Sequence, residues 1–203
     1  MDLAGAYLVN TSDPDEAAAI LATEYGPMRI TRASPETAWI RIWRTRVGPM
    51  TLDDADITSH IRVDLDAPRG IVLCRIRAGS IAFGEGEHQK SFVRGDLVAI
   101  LSDGVPLTGT MSHARCDLVS FDPSMLEAMA TQDAESRCGQ RARRFAVPVS
   151  PSAGQLVGDV IDHIRTFVAN NPLVAGDALV ATSAARYLAA TTLAAFPGSA
   201  LRF

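Results

Sequence analysis

Four histidines, three cysteines and one run of aspartates are the side chains of this 203-residue sequence best equipped for catalysis or metal binding. The histidines, His60, His88, His113 and His163, are scattered, and no two form a His-x-His pair. His88 follows Glu85 and Glu87 in "GEGEHQ", a glycine-framed acidic stretch that reads as a solvated β-turn. Binding a transition metal normally needs three or more convergent N, O or S ligands, which this pattern does not supply. Cys74, Cys116 and Cys138 are odd in number, and no C-x-x-C occurs, so neither a zinc ribbon nor a redox motif is indicated. Cys74 and Cys116 sit in apolar, strand-like runs, where a free cysteine behaves as a small hydrophobe. Asp53, Asp54 and Asp56 in "LDDADI" read as a polar edge or turn, with an acid–base pair as the alternative. There is no G-x-S-x-G nucleophile elbow, and "GEGEHQ" offers carboxylates where a phosphate needs N–H groups and positive charge. The expectation is no catalytic residue, no metal and no cofactor.

The charge balance points the same way. Nineteen basic residues face 23 acidic ones, a net charge of -4, whereas holding a nucleic-acid backbone takes clustered Lys and Arg. The basic cluster in "QRARRFAV", Arg141, Arg143 and Arg144 with Arg137 before it, reads as a solvated face or, alternatively, a phosphate or partner patch. The N-terminus lacks a basic start and a long apolar stretch, so it does not read as a signal peptide. No run approaches the roughly 18 apolar residues of a membrane span. Unpaired cysteines suit a reduced compartment. A cytoplasmic protein without membrane contact is expected.

The elements that would position any site fall into two textures. Three helix starts share an N-cap residue followed by proline: Asp13-Pro14, Asp122-Pro123 and Ser150-Pro151. Glu16 completes a capping box in the first, and Gly26 stops it. The helix from Pro151 keeps Leu156, Val160, Ile164 and Phe167 at helical spacing and ends at Asn170-Asn171-Pro172. A further helix, capped by Asp177, carries Leu179, Val180, Tyr187 and Leu188, and these two read as an antiparallel hairpin. Between the first helix and the second lie about nine short, alternating segments rich in Ile, Val, Thr and aromatics, punctuated by Gly, Pro and Asp. Helix, then strands, then helices is an α+β layout with an antiparallel barrel or sandwich. The division expected is residues 1–148 for a barrel with its N-terminal helix and 149–203 for a helical hairpin.

An apolar barrel without reactive groups suits a molecule that binds and does not convert. In "IVLCRIRAG", Cys74 and Ile76 face one way and Arg75 and Arg77 the other. In "AWIRIWRTRV", Trp39, Arg41 and Trp43 share a face, and an indole wall with one placed charge is a common way to build a small-molecule pocket. Trp39, Arg41, Trp43, Cys74 and Ile76 are therefore the candidate ligand-binding residues, with ordinary core packing the alternative for each tryptophan. Leu156, Val160, Ile164, Leu179, Tyr187 and Leu188 must cover the barrel, pair with a second chain, or divide between the two.

The opening "SDPDEAAAILATEYGP", the strand series through "FVRGDLVAILSDG", the strand-to-helix step "LVSFDPSMLEAMA" and the closing helices through "LAATTLAAFPGSALRF" together resemble the N-terminal sensor region of AraC/XylS-type transcriptional regulators. The likeness spans nearly the whole chain. It implies a cupin-like jelly-roll barrel preceded by one helix and followed by a helical hairpin. It also implies a small-molecule effector in the barrel and a homodimer formed through the C-terminal helices. In that family a DNA-binding domain with two helix-turn-helix units follows the last helix; here the chain stops, so DNA contact is expected only through a domain absent from it. The alternative is a cupin-type enzyme acting on a small molecule.

Overall fold

A computed structural model describes residues 5–101, 105–122, 125 and 145–196. Ten strands and four helices are described. In chain order they are β1 (Gly5–Thr11), α1 (Pro14–Tyr25), β2 (Met28–Arg32), β3 (Ile40–Val47), β4 (Met50–Ile57), β5 (His60–Leu65), β6 (Val72–Phe83), β7 (Lys90–Val93), β8 (Leu97–Ile100), β9 (Leu107–Phe121) and β10 (Phe145–Ala146). Helix α2 (Pro151–His163) runs on into a π-helical turn, Ile164–Ala169, and is followed by α3 (Pro172–Gly176) and α4 (Ala178–Ala195). The helix expected after Asp122-Pro123, the arginine cluster at 137–144 and Cys138 lie outside the described residues.

All pairings are antiparallel, and the two longest strands are the spine. β6 and β9 pair with each other along most of their length; β9 takes β4 at one end and β5 at the other, while β6 takes β8 and β7. The register slips between Ile76 and Ser80. There Gly79 has φ +67° and His113 φ +44°. A Cβ on Gly79 would collide with the carbonyl oxygens of Ser112 and His113, so only glycine fits this bend. The bend lets one strand serve two walls, so segments that read as separate short strands in the sequence are halves of β6 and β9. The sheet curls into a cupin-like barrel, and its path ends at β1 and β10.

β1 is missed by the sequence pattern, as are the short β10 and α3. The partner of β1 is the distant β3, with Thr11 beside Ile40 and Gly5 beside Thr45, and its burial pattern carries little apolar alternation. Downstream, the capping chemistry is local and is as expected: Asp13 accepts from Asp15 N at 2.9 Å, and Asp177 accepts from Leu179 N and Val180 N at 3.0 Å each. Glu16, however, accepts from Thr11 Oγ1 at 2.5 Å instead of reaching back to Asp13 N.

The strands separate two cores. Inside the curl, Val9, Ile30, Ile40, Ile42, Cys74 and Ile76 pack with Ala17, Leu21 and Tyr25 of α1. On the outer face, Leu52, Leu73, Ala99, Val119 and Phe121 meet α2, the π turn and α4. This divides the helical stripe. Val160, Ile164 and Leu188 are buried in the outer core, so of the two needs read for the stripe they serve the covering one and not a dimer face: they seal the hairpin onto the sheet. Leu156, Leu179 and Tyr187 are exposed. Leu188→Ala should cost about 2–5 kcal/mol, because the sheet beneath it cannot collapse into the void; urea unfolding, with an unchanged m-value, checks this.

Candidate functional site: a pocket above a buried arginine–aspartate pair

The facing of β3 decides what the barrel interior holds. Directly paired residues share a face. Arg44 pairs with Asp53, Asp53 with Leu118 and Leu118 with Cys74, so this row points inward beside the row Ile42, Ala55, Cys116 and Ile76. Cys74 and Ile76 thus face the interior. Trp39, Arg41 and Trp43 do not join them, which corrects the sequence reading. Trp43 pairs across to Tyr7 and Asp54 on the outer face and meets the Tyr7 ring edge-on at 4.9 Å. Trp39 is 41% exposed, and Arg41 lies over its ring at 5.6 Å. The aliphatic pair Ile40 and Ile42 was the available signal, since β-branched residues seek the core and carry Arg44 inward with them.

Arg44 is held by Asp53, which is fully buried. Arg44 Nε donates to Asp53 Oδ1 at 2.8 Å and Nη2 to Oδ2 at 2.6 Å, a two-pronged ion pair. The Tyr25 hydroxyl at the end of α1 also donates to Asp53 Oδ2, and Arg44 Nη1 donates to Glu24. Burial, then the Asp53 charge, push the Tyr25 phenol well above its ordinary value, so it stays a donor. Burial opposes the charge on Arg44, but the bonds to Asp53 and the charges around it outweigh that and raise its pKa. Asp53 and Asp54, expected at an edge or turn, instead lie within central strand β4.

Above this pair, at the end of the barrel, lies a pocket of about 240 Å³. Glu24, Arg44, Arg46, Thr51, Ser120 and Asp122 supply its polar groups, and Gly48, Pro49, Met50 and Phe121 complete it. Arg46, Thr51 and Ser120 are cross-strand neighbours, one inward row beyond Arg44 and Asp53. Hydroxyls, each able to donate and accept, and charges of both signs line a cleft floored by a fixed arginine. Such a cleft can recognise a small polar molecule.

The outer face of the same strands carries a second charged cluster. Asp117, fully buried, receives Arg75 Nε at 2.8 Å and Arg165 Nη2 at 2.5 Å, with Arg77 Nε 3.1 Å away in a close ion pair. Asp54 accepts from Arg77 and from Arg165 Nη1 at 3.2 Å. Arg75 also reaches α2, donating to Gly158 O at 2.8 Å and to Asp162 Oδ2 at 2.7 Å. The Arg75 bonds hold the Asp162 carboxyl below its ordinary range. This cluster fastens the C-terminal helices to the sheet.

Among the described residues, other reactive groups form no comparable site. Cys74 shares a hydrogen bond with Cys116, and that bond and burial push its thiol up, away from reactivity. His60 Nε2 lies 2.8 Å from Ser112 Oγ, and its ring meets His113 edge-on at 4.9 Å. Among the described residues, no three His, Cys, Asp or Glu side chains converge as metal ligands. Among them, too, no helix is long and apolar enough to cross a membrane.

No family model matches the sequence, and no curated protein matches it. Solved structures do. The AraC-like transcriptional activator CuxR superposes with a TM-score of 0.69 over 94% of this chain and 69% of its own, at 10% identity. A cupin-like protein from Thermotoga maritima matches over 46% of the chain (71% of its own) at 13% identity and a TM-score of 0.34. A cupin 2 barrel domain protein from Salinispora arenicola matches over 52% (85% of its own) at 15% identity and 0.32. The likeness to CuxR fits the α+β fold and, at such identity, speaks to fold alone.

Arg44→Met should destabilise the protein by about 3–5 kcal/mol, since it strands the Asp53 charge in the interior. Adding Asp53→Leu should recover most of that in urea unfolding, though not all, because the Tyr25 hydroxyl then loses its acceptor.

Proposed function

We propose that this chain is the effector-sensing and dimerisation unit of an AraC-type transcriptional regulator. The observation that carries the reading is the likeness to an AraC-like activator over 94% of the chain. That coverage leaves too few residues unmatched to omit the C-terminal helices, so barrel and helices match as one arrangement. The barrel-end pocket is the effector site in this reading. A small polar molecule would sit on Arg44, Arg46, Thr51 and Ser120, in the cytoplasm, and it acts as a signal only if it binds one arrangement of the protein better than another. Contact with DNA would fall to a separate domain.

A screen of small polar molecules by thermal shift tests the pocket. A true effector at a hundred times its Kd should add about 2.7 kcal/mol of stability. The double variant Thr51→Val/Ser120→Ala should lose that response; a response that survives it would place the site elsewhere. A stoichiometric transition metal in the purified protein, together with turnover, would favour a cupin-type enzyme instead.

The dimer face is assigned to the exposed part of the helical stripe. Leu156, Leu179 (77% exposed) and Tyr187 (53% exposed) carry it. Arg186 is the only charged side chain in the 18 residues of α4, so this helix offers water few charges. Sedimentation velocity should find a dimer that Leu179→Glu converts to monomer without lowering the unfolding midpoint of the isolated subunit. A wild-type monomer at tens of micromolar protein would sink the dimer assignment (a concentration of about 10–100 Kd for a typical micromolar contact).

A further inference from the structure

We infer that the effector of this pocket carries a carboxylate, and that Glu24 holds on Arg44 the place that carboxylate takes. This deepens the reading of the pocket as an effector site and rests on it.

The donors of Arg44 divide into two sets. Nε and Nη2 are committed to Asp53, whose complete burial makes that pair costly to break. Nη1 instead faces a pocket-lining residue, Glu24. The Glu24 side chain is one-third exposed, and Arg44 is its sole ionic partner among the described residues. It can turn into water without stranding a charge.

Its position in the helix adds to this. Glu24 lies in the last turn of α1, where the helix dipole presents partial negative charge, and no basic residue stands there. A carboxylate is disfavoured at a helix C-terminus, so α1 does not itself favour the contact. The contact rests on the charge-assisted hydrogen bond that Arg44 Nη1 donates.

An incoming carboxylate would find more than Glu24 does. Arg46 is two residues along β3 on the same inward face, lines the pocket, and has no ionic partner among the described residues. The Thr51 and Ser120 hydroxyls stand across from it. With Glu24 turned out, Arg44 and Asp53 cancel, and Arg46 and Asp122 add one charge of each sign to the lining. The field then no longer repels an anion, and the convergent donors favour one. A neutral ligand would leave Glu24 in place and gain the hydroxyls alone. The volume of about 240 Å³ falls below the roughly 300–1,000 Å³ of drug-sized sites, so the acid is small.

Lactate and its amide, lactamide, are matched probes that differ in the charge at issue. Binding is read by thermal shift and calorimetry on the full chain, with Glu24→Gln and Arg46→Met beside wild type. Glu24 is half-buried and Arg46 exposed, so neither variant threatens folding. Lactate should bind more tightly than lactamide, Glu24→Gln should tighten lactate roughly tenfold by removing the competitor, and Arg46→Met should cancel that gain. Hydrogen exchange should quicken in the last turn of α1 when lactate binds wild type, and not in Glu24→Gln. Equal binding of lactate and lactamide overturns the carboxylate assignment while leaving the pocket a site for neutral molecules. Unchanged lactate affinity in Glu24→Gln overturns the role of Glu24. If lactate fails to bind even Glu24→Gln, the carboxylate assignment falls, and the wider screen of neutral polar molecules judges the pocket separately.

Discussion

Two carboxylates with no exposure to water, Asp53 and Asp117, set the terms for the rest of the molecule. An ionised carboxylate in an apolar interior costs several kcal/mol unless cations and hydrogen bonds surround it. Asp53 therefore requires Arg44 and recruits Tyr25, which brings the end of α1 against the barrel. Asp117 requires Arg75 and Arg165, which bring α2 and its π turn down onto the opposite face. The helices at both ends of the chain are thus placed by charge as well as by apolar area.

The two clusters stand back to back across one sheet. Asp53 and Asp54 are consecutive in β4, and strand alternation sends the first inward and the second outward. A one-residue slip of β4 would exchange them and strand both sets of arginines, so charge reinforces the register that the apolar pattern already prefers. Buried ion pairs add little net stability, and their use here is better seen as specificity of packing. The π-helical turn that carries Arg165 fits this view, because local irregularities in helices gather where a side chain must be aimed.

The barrel itself depends on two strands long enough to serve both walls. Gly79 and His113 supply the bend that keeps β6 and β9 continuous. A fold of this type hosts many functions, so a function has to be argued from side chains such as those set at the barrel end. Those side chains come from α1, β3, β4 and β9, which meet only after the sheet has curled.

Much of the local structure was legible in the sequence. Asp13, Ser150 and Asp177 announced three helix starts, because capping acts over two or three residues and needs no distant partner. The order of helix, strands and helices gave the α+β class for a similar reason, since periodicity is a local property. The alternation in β6 correctly set Cys74 and Ile76 against Arg75 and Arg77. What tertiary structure decided was which face of each strand is the inside. For β3 both faces carry arginine and large apolar groups, so alternation alone leaves the choice open; the pairing with β4 and β1 turned Trp39, Arg41 and Trp43 outward and Arg44 inward. The same holds for "LDDADI", where Asp53 and Asp54 look like surface until Arg44, Arg77 and Arg165 arrive from 9, 23 and 111 residues away. A sequence states which groups carry charge, and only the folded chain brings the opposite charges that allow them to be buried.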